Sequence, residues 1–174
     1  RYYIQEIDKR SLFAYESGNL RIPPAEASMQ VSVFYDPYTL QSNALNVDIL
    51  PLPKNNVPNS FEGLVGDFSL EFTPPDATSI QNKPLALKFV VKGNGNLKQL
   101  TTLQFDESKN FKIYQSSTED FVEAKDNVSG EKHFEFIVVP KEAGIHNLPR
   151  FYVSYFSPKE NMYKTLSSES LAMD

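Results

Sequence analysis

The sequence predicts an all-β protein, and three observations predict it. Apolar residues alternate with polar ones at period two in several short runs, which puts each set on one face of a strand. Clusters rich in Gly, Pro and Asn separate those runs at short intervals. No run carries a convincing helical stripe, and 117 to 126 is the only helical candidate. Short strands at this spacing read as a β-sandwich.

Taken in chain order, ALNVDIL sets Leu45, Val47 and Ile49 against Asn46 and Asp48. DFSLEF (67 to 72) follows as a strand. In PLALKFVVKG, Leu85, Leu87, Phe89 and Val91 share one face, and Ala86, Lys88, Val90 and Lys92 the other. FKIY (111 to 114) is the next strand. KHFEFIVVP points Phe134, Phe136 and Val138 inward and His133, Glu135 and Ile137 outward. NLPRFYVSYF (147 to 156) and MYKTLSS (162 to 168) complete the set. Turns are expected at Pro74-Pro75-Asp76, Gly93-Asn94-Gly95-Asn96, Ser129-Gly130 and Gly144.

Composition narrows the function. The 174 residues hold no Cys, which excludes thiolate metal sites, iron-sulfur clusters and cysteine nucleophiles. Only His133 and His146 are available for a catalytic triad or a histidine metal site. A net charge of -5 argues against sequence-independent nucleic-acid binding, which needs clustered Lys and Arg. No stretch reaches the length of an apolar membrane span, and no signal-peptide pattern opens the chain. A chain opening at Arg1 is expected to be processed or excised from something longer.

The two ends of the chain resemble each other. LFAYESGNLRIP (12 to 23) lies 126 residues before VVPKEAGIHNLP (138 to 149), sharing Glu16 with Glu142, Gly18 with Gly144 and Pro23 with Pro149. TLQSNAL (39 to 45) matches TLSSESL (165 to 171) at the same offset, and VSVFYDP (31 to 37) resembles VSYFSP (153 to 158) between them. This repeat predicts that residues 1–52 are the C-terminal part of an incomplete β domain. A Pro/Asn-rich linker at 53–60 and a complete sandwich at 61–174 follow.

The order PLP (51 to 53), FEGLVGDFSLEF (61 to 72), KGNGNLKQL (92 to 100), KHFEFIVVPKEAGIHNLP and YVSYFSPKENMYKTLSSES resembles the BatD family, the aerotolerance or oxygen-tolerance proteins of the Bat operon. The resemblance runs over nearly the whole chain. It implies tandem immunoglobulin-like antiparallel sandwiches in a membrane-anchored protein on the extracytoplasmic, periplasmic side of the cytoplasmic membrane. It also implies protein partners, such as other Bat-operon membrane proteins or von Willebrand factor A-type proteins.

The candidate residues follow from the motifs. In FEGLVGDF, Phe61, Gly63, Leu64 and Gly66 read as an interdomain joint with a tight or bulged start to the strand, or else as a ligand-gripping loop. GNGN reads as a strand-ending turn and only superficially as a phosphate loop. FYVSYF places Phe151, Val153 and Tyr155 on one face and Tyr152, Ser154 and Phe156 on the other. One face is core. The other covers a joint or loop, or is a recognition patch for which Tyr152, Tyr155 and Phe156 are the candidates. Exposed edge strands offer a second route through β-augmentation.

Asp106-Glu107 and Glu119-Asp120 read as solvated surface, since neighbours on a strand point apart. Asn127-Val128-Ser129 is a formal glycosylation sequon. No catalytic residue, metal site or cofactor is assigned. The reading is a non-catalytic protein-protein interaction module, with a carbohydrate- or envelope-polymer-binding sandwich as the alternative. A hydrolase would have to unite His133 or His146 with a Ser and a carboxylate.

Overall fold

The computed structural model describes residues 9, 11–30, 32–34, 36–75, 80–124 and 128–173. They form two compact units, Leu12–Leu52 and a larger one holding Pro53–Asp174. The expected turn residue Asp76 and the sequon residue Asn127 lie outside the described residues, as do Val31 and Tyr35 of the repeat.

The smaller unit has two antiparallel ladders. β1 (Gly18–Ile22) pairs with β4 (Leu45–Ile49), and β2 (Glu26–Met29) pairs with β3 (Tyr38–Gln41). Their polar faces are tied across the strands. Asn19 Nδ2 donates to Asp48 Oδ1 at 2.6 Å and Gln41 Nε2 donates to Glu26 Oε1 at 2.6 Å.

The larger unit is a curled sheet of β5 (Phe61–Thr73), β6 (Leu85–Gly95), β7 (Gln104–Phe105), β8 (Phe111–Ala124), β9 (Val128–Pro140), β11 (Phe151–Ser157) and β12 (Met162–Ser167). A short ladder of β10 (His146–Asn147) and β13 (Ala172–Met173) stands beside it. Strand order is β12-β11-β5-β6-β9-β8, with β7 also on β11. β5 belongs to both layers. Its first half runs parallel to β11, and from Gly66 on it pairs antiparallel with β6. The sheet therefore folds over on itself as a sandwich, and the β5–β11 pairing is a parallel departure from the antiparallel expectation.

Period-two patterning positions the core as the sequence predicts. Leu87, Phe89 and Val91 on β6 and Phe134, Phe136 and Val138 on β9 are buried. They face Phe151, Val153 and Tyr155 of β11. Phe151 sits at the centre, its ring 4.5 Å from Phe89, 4.8 Å from Phe136 and 5.3 Å from Phe105 between centroids.

Three local expectations are corrected. The helical candidate at 117 to 126 is strand as far as Ala124, because β8 continues with one bulge between Gln115 and Ser117. Ser129-Gly130 lies within β9 and pairs with Gly93 and Asn94 of β6. The turn expected at Gly93-Asn94-Gly95-Asn96 lies further on: β6 continues through Gly93 and Asn94 and ends at Gly95, as a strand-ending position should, and a three-residue 3-10 turn, Leu97–Gln99, follows.

The glycines explain that continuation. Gly66 pairs with Gly95 and Phe68 with Gly93. A Cβ on Gly66 would come within 2.1 Å of the Asn94 carbonyl oxygen, and one on Gly95 within 2.2 Å of the Val65 oxygen. The backbones meet where side chains cannot, and the Phe68 ring lies against all three glycines. Both Gly66 and Gly95 hold φ of 148°, a conformation that favours glycine.

Candidate interaction surface

The sheet switch is held by one side chain. Buried Asn96 accepts the Val65 N–H on Oδ1 at 2.7 Å, and its Nδ2 donates to the Gly63 oxygen at 3.1 Å and to Gln99 Oε1. One amide thus satisfies backbone groups that the crossing strand leaves unpaired. Ser157 Oγ adds a bond to Asp67 Oδ1 at 2.5 Å just past the switch. Asn96→Ala should cost about 1–3 kcal/mol, since it strands the Val65 N–H. A fall in the denaturant midpoint without a change in slope checks this.

The residues expected to form an interdomain joint have places inside the larger unit. Leu64 is core of the larger unit at 2% exposure, Gly63 and Gly66 form its sheet switch, and the Phe61 ring packs on Tyr163 at 4.9 Å. The segment 53–60 is not a free linker. Pro53 accepts the Tyr163 hydroxyl at 2.7 Å, and Ser60 Oγ meets Ser154 Oγ at 2.5 Å.

That segment also decides the fate of the aromatic patch. Phe156 stacks edge-on against Tyr163 at 5.1 Å and is only 6% exposed. Tyr155 faces inward, 5% exposed, with its ring 5.4 Å from Phe68. Neither is available to a partner, which corrects the recognition patch at these two positions. Tyr152 is half-buried. Tyr163, held in turn by the Phe61 ring and the Pro53 oxygen, packs on Phe156.

The longer of the two edge strands of the sheet, β8, offers an open surface, and the sequence reading cut that strand short. β8 pairs along its length with β9, and no second strand pairs with it among the described residues. Tyr114 and Phe121 are 56% and 54% exposed. Both belong to the outer face, opposite Ile137 and Glu131. Beneath the same edge lies an open groove of about 400 Å³ lined by Phe105, Phe111, Ile113, Glu107, Ser108 and Lys109. An added strand would send alternate side chains to the outer face and into this groove.

The outer face also carries a charged network. Lys92 Nζ bridges Glu71 at 3.0 Å and Glu131 at 3.5 Å, and Glu131 also meets His133 Nε2 at 3.2 Å. The Glu71 hydrogen bond raises the Lys92 ammonium above 10.5, with Glu131 adding to it. The His133 hydrogen bond, then Lys92, holds the Glu131 carboxyl below 4.5. The Glu131 contribution to stability is therefore present above its unfolded value and lost as pH falls through its lower folded value. The Lys92 contribution is present below 10.5 and lost as pH rises through its higher folded value. Urea midpoints should be level between these limits and fall outside them. Lys92→Met should weaken both the alkaline and the acid fall, each by a small amount for so exposed a network, and the alkaline fall persists in part because the Glu160 hydrogen bond also raises Lys164.

The histidines do not assemble a triad. His133 bonds to Glu131 on the outer face. His146 Nδ1 meets Asn110 Nδ2 at 3.1 Å, beside a recess of about 190 Å³ with Gln81 and Glu142 on its rim and no serine in its lining. Among the described residues, no group of three His, Asp or Glu is placed to hold a metal, and no helix is long and apolar enough to cross a membrane.

The geometry defines an all-β, sandwich-like domain whose long β8 strand is an open sheet edge. The BatD DUF11 like domain family matches residues 76–174, more than half of the chain, so the chain belongs to the BatD family. No curated protein and no solved structure matches it.

Proposed function

We propose that this chain is a non-catalytic protein-protein interaction module of a membrane-anchored, extracytoplasmic BatD-type aerotolerance or stress protein. The observation that carries the reading is the open β8 edge, with Tyr114 and Phe121 on its outer face and a groove of mixed apolar and charged lining beneath it. Main-chain bonds along such an edge give affinity to an extended segment, and alternate side chains give it selectivity. The partners in this reading are Bat-operon membrane proteins and von Willebrand factor A-type proteins, met on the periplasmic side of the membrane. The glycan-binding alternative depended on clustered exposed aromatics, and burial of Tyr155 and Phe156 removes that support.

The test is affinity purification of the membrane-anchored protein carrying Tyr114→Asp and Phe121→Asp. Recovery of the Bat partner should drop about tenfold or more, while the denaturation midpoint holds, because both side chains are exposed. Equal recovery with the double variant would refute contact through β8.

A further inference from the structure

Two hairpins of the chain are built to one register. Four consecutive pairs of β2 and β3, from Glu26 with Gln41 to Met29 with Tyr38, recur 126 residues later in β11 and β12, from Tyr152 with Ser167 to Tyr155 with Lys164. In the larger unit that ladder runs on to Ser157 with Met162, so residues 158–161 are the loop at its tip. All four are exposed. At the same offset, the tip of the β2–β3 hairpin is 32–35.

The two tips have opposite chemistry. Residues 158–161 read Pro-Lys-Glu-Asn, where Glu160 pairs with Lys164 and its N–H donates to Ser157 Oγ at 3.3 Å. Residues 32–35 read Ser-Val-Phe-Tyr, and Val33 and Phe34 are 84% and 88% exposed. A hydrogen-bonded bend shapes this tip too, since the Phe34 N–H donates to Ser32 Oγ at 3.3 Å. The exposure belongs to the hairpin's design, because the loop at the same place stays in water in the larger unit, where β11 itself is buried. Core packing therefore asks for no apolar residue there, and adjacent apolar side chains held out in water mark a contact surface.

Composition selects what they contact. No Lys or Arg stands between Arg21 and Lys54, and Asp36 is the single charged residue from 27 to 47. An anionic surface therefore finds no cation near the tip. Two adjacent side chains also fall well short of the about 800 Å² that each side of a specific protein interface covers. A bilayer sets no such minimum, and a convex apolar tip enters the boundary of headgroups and acyl chains without a matching pocket.

We infer that Val33 and Phe34 dip into the interface of a neutral, zwitterionic lipid surface. The contact is weak by itself and gains strength for a chain already held at the surface. Its use as a second contact rests on the membrane-anchored reading above, whereas the insertion does not.

The chain has no Trp, so Phe34→Trp places a single reporter at the tip. Glu160→Trp places one at the equivalent loop, and Leu50→Trp one at an apolar position, 81% exposed, outside the hairpin. All three positions are exposed, so the fold is kept. Each intact chain is held by a C-terminal oligohistidine tag on phosphatidylcholine vesicles containing a nickel-chelating lipid, which supplies an anchor whether or not the natural one exists. Brominated phosphatidylcholine should quench the Phe34→Trp chain about twofold or more, at low and high salt alike, and leave the other two nearly unchanged. Adding Val33→Asp should abolish the quenching. An unquenched Phe34→Trp chain at full tethering, the result expected of a tip that serves a protein pocket, overturns the inference. Equal quenching of the Leu50→Trp chain overturns it too, because exposed apolar side chains would then adhere without regard to the hairpin.

Discussion

Phe151→Ala is expected to lower the unfolding free energy of the larger unit by about 3–5 kcal/mol, the usual cost of truncating a buried phenylalanine. Position decides the upper end of that range. Phe151 is 1% exposed and its ring touches Phe89 of β6, Phe136 of β9 and Phe105 of β7, so it joins the two layers. Backbone bonds on both sides fix β11, to β12 and to β5 or β7, so the cavity cannot collapse cheaply. Urea denaturation followed by tyrosine fluorescence should show an earlier midpoint. Phe151→Leu, which keeps most of the volume, should recover more than half of the loss. Equal losses for Ala and Leu would mean that the aromatic contacts, not the filled volume, dominate.

Gly66→Ala should cost about 3 kcal/mol, or prevent folding of the larger unit. Two effects add there. The left-handed φ of 148° strains any side chain, and the new Cβ meets backbone at the Asn94 oxygen and the Gly95 Cα rather than a movable side chain. Moving either atom pulls β6 away from β5, where Phe68 covers the glycines and Asp67 anchors Ser157. Gly63→Ala should be milder despite its φ of 90°, since its Cβ would meet the end of the Gln99 side chain, which can turn aside. Comparing the two midpoints separates backbone collision from strain.

These positions also show what the sequence makes legible. Leu87, Phe89 and Val91, like Phe134, Phe136 and Val138, alternate because one face is core and the other is wet, so their strands and inward faces are readable. β8 is an edge with most residues from Lys112 to Phe121 exposed, and burial imposes no alternation on it. Its bulge at Ser116 shifts the facing residues once more. The pattern therefore vanishes where the candidate surface lies, and its polar run suggests a helix instead. Glycine carries a similar ambiguity: GNGN serves a turn or a close backbone approach equally well, and only its partner Gly66, 29 residues earlier than Gly95, decides. The aromatic density of FYVSYF signals burial on both faces. That Tyr163 packs on Phe156 and is held by the Pro53 oxygen, 110 residues away, is announced by no local pattern.

The central claim is that the open β8 edge is where this BatD domain meets its partner. Site-specific photocrosslinking in the membrane-anchored protein tests it most directly, with the photoreactive residue at Phe121 on β8 and, separately, at Met162, which is 49% exposed on β12 at the opposite edge. The account predicts a defined adduct with a Bat-operon membrane or von Willebrand factor A-type protein from position 121 and none from position 162. An adduct confined to position 162, or none from 121 at equal expression, would contradict it.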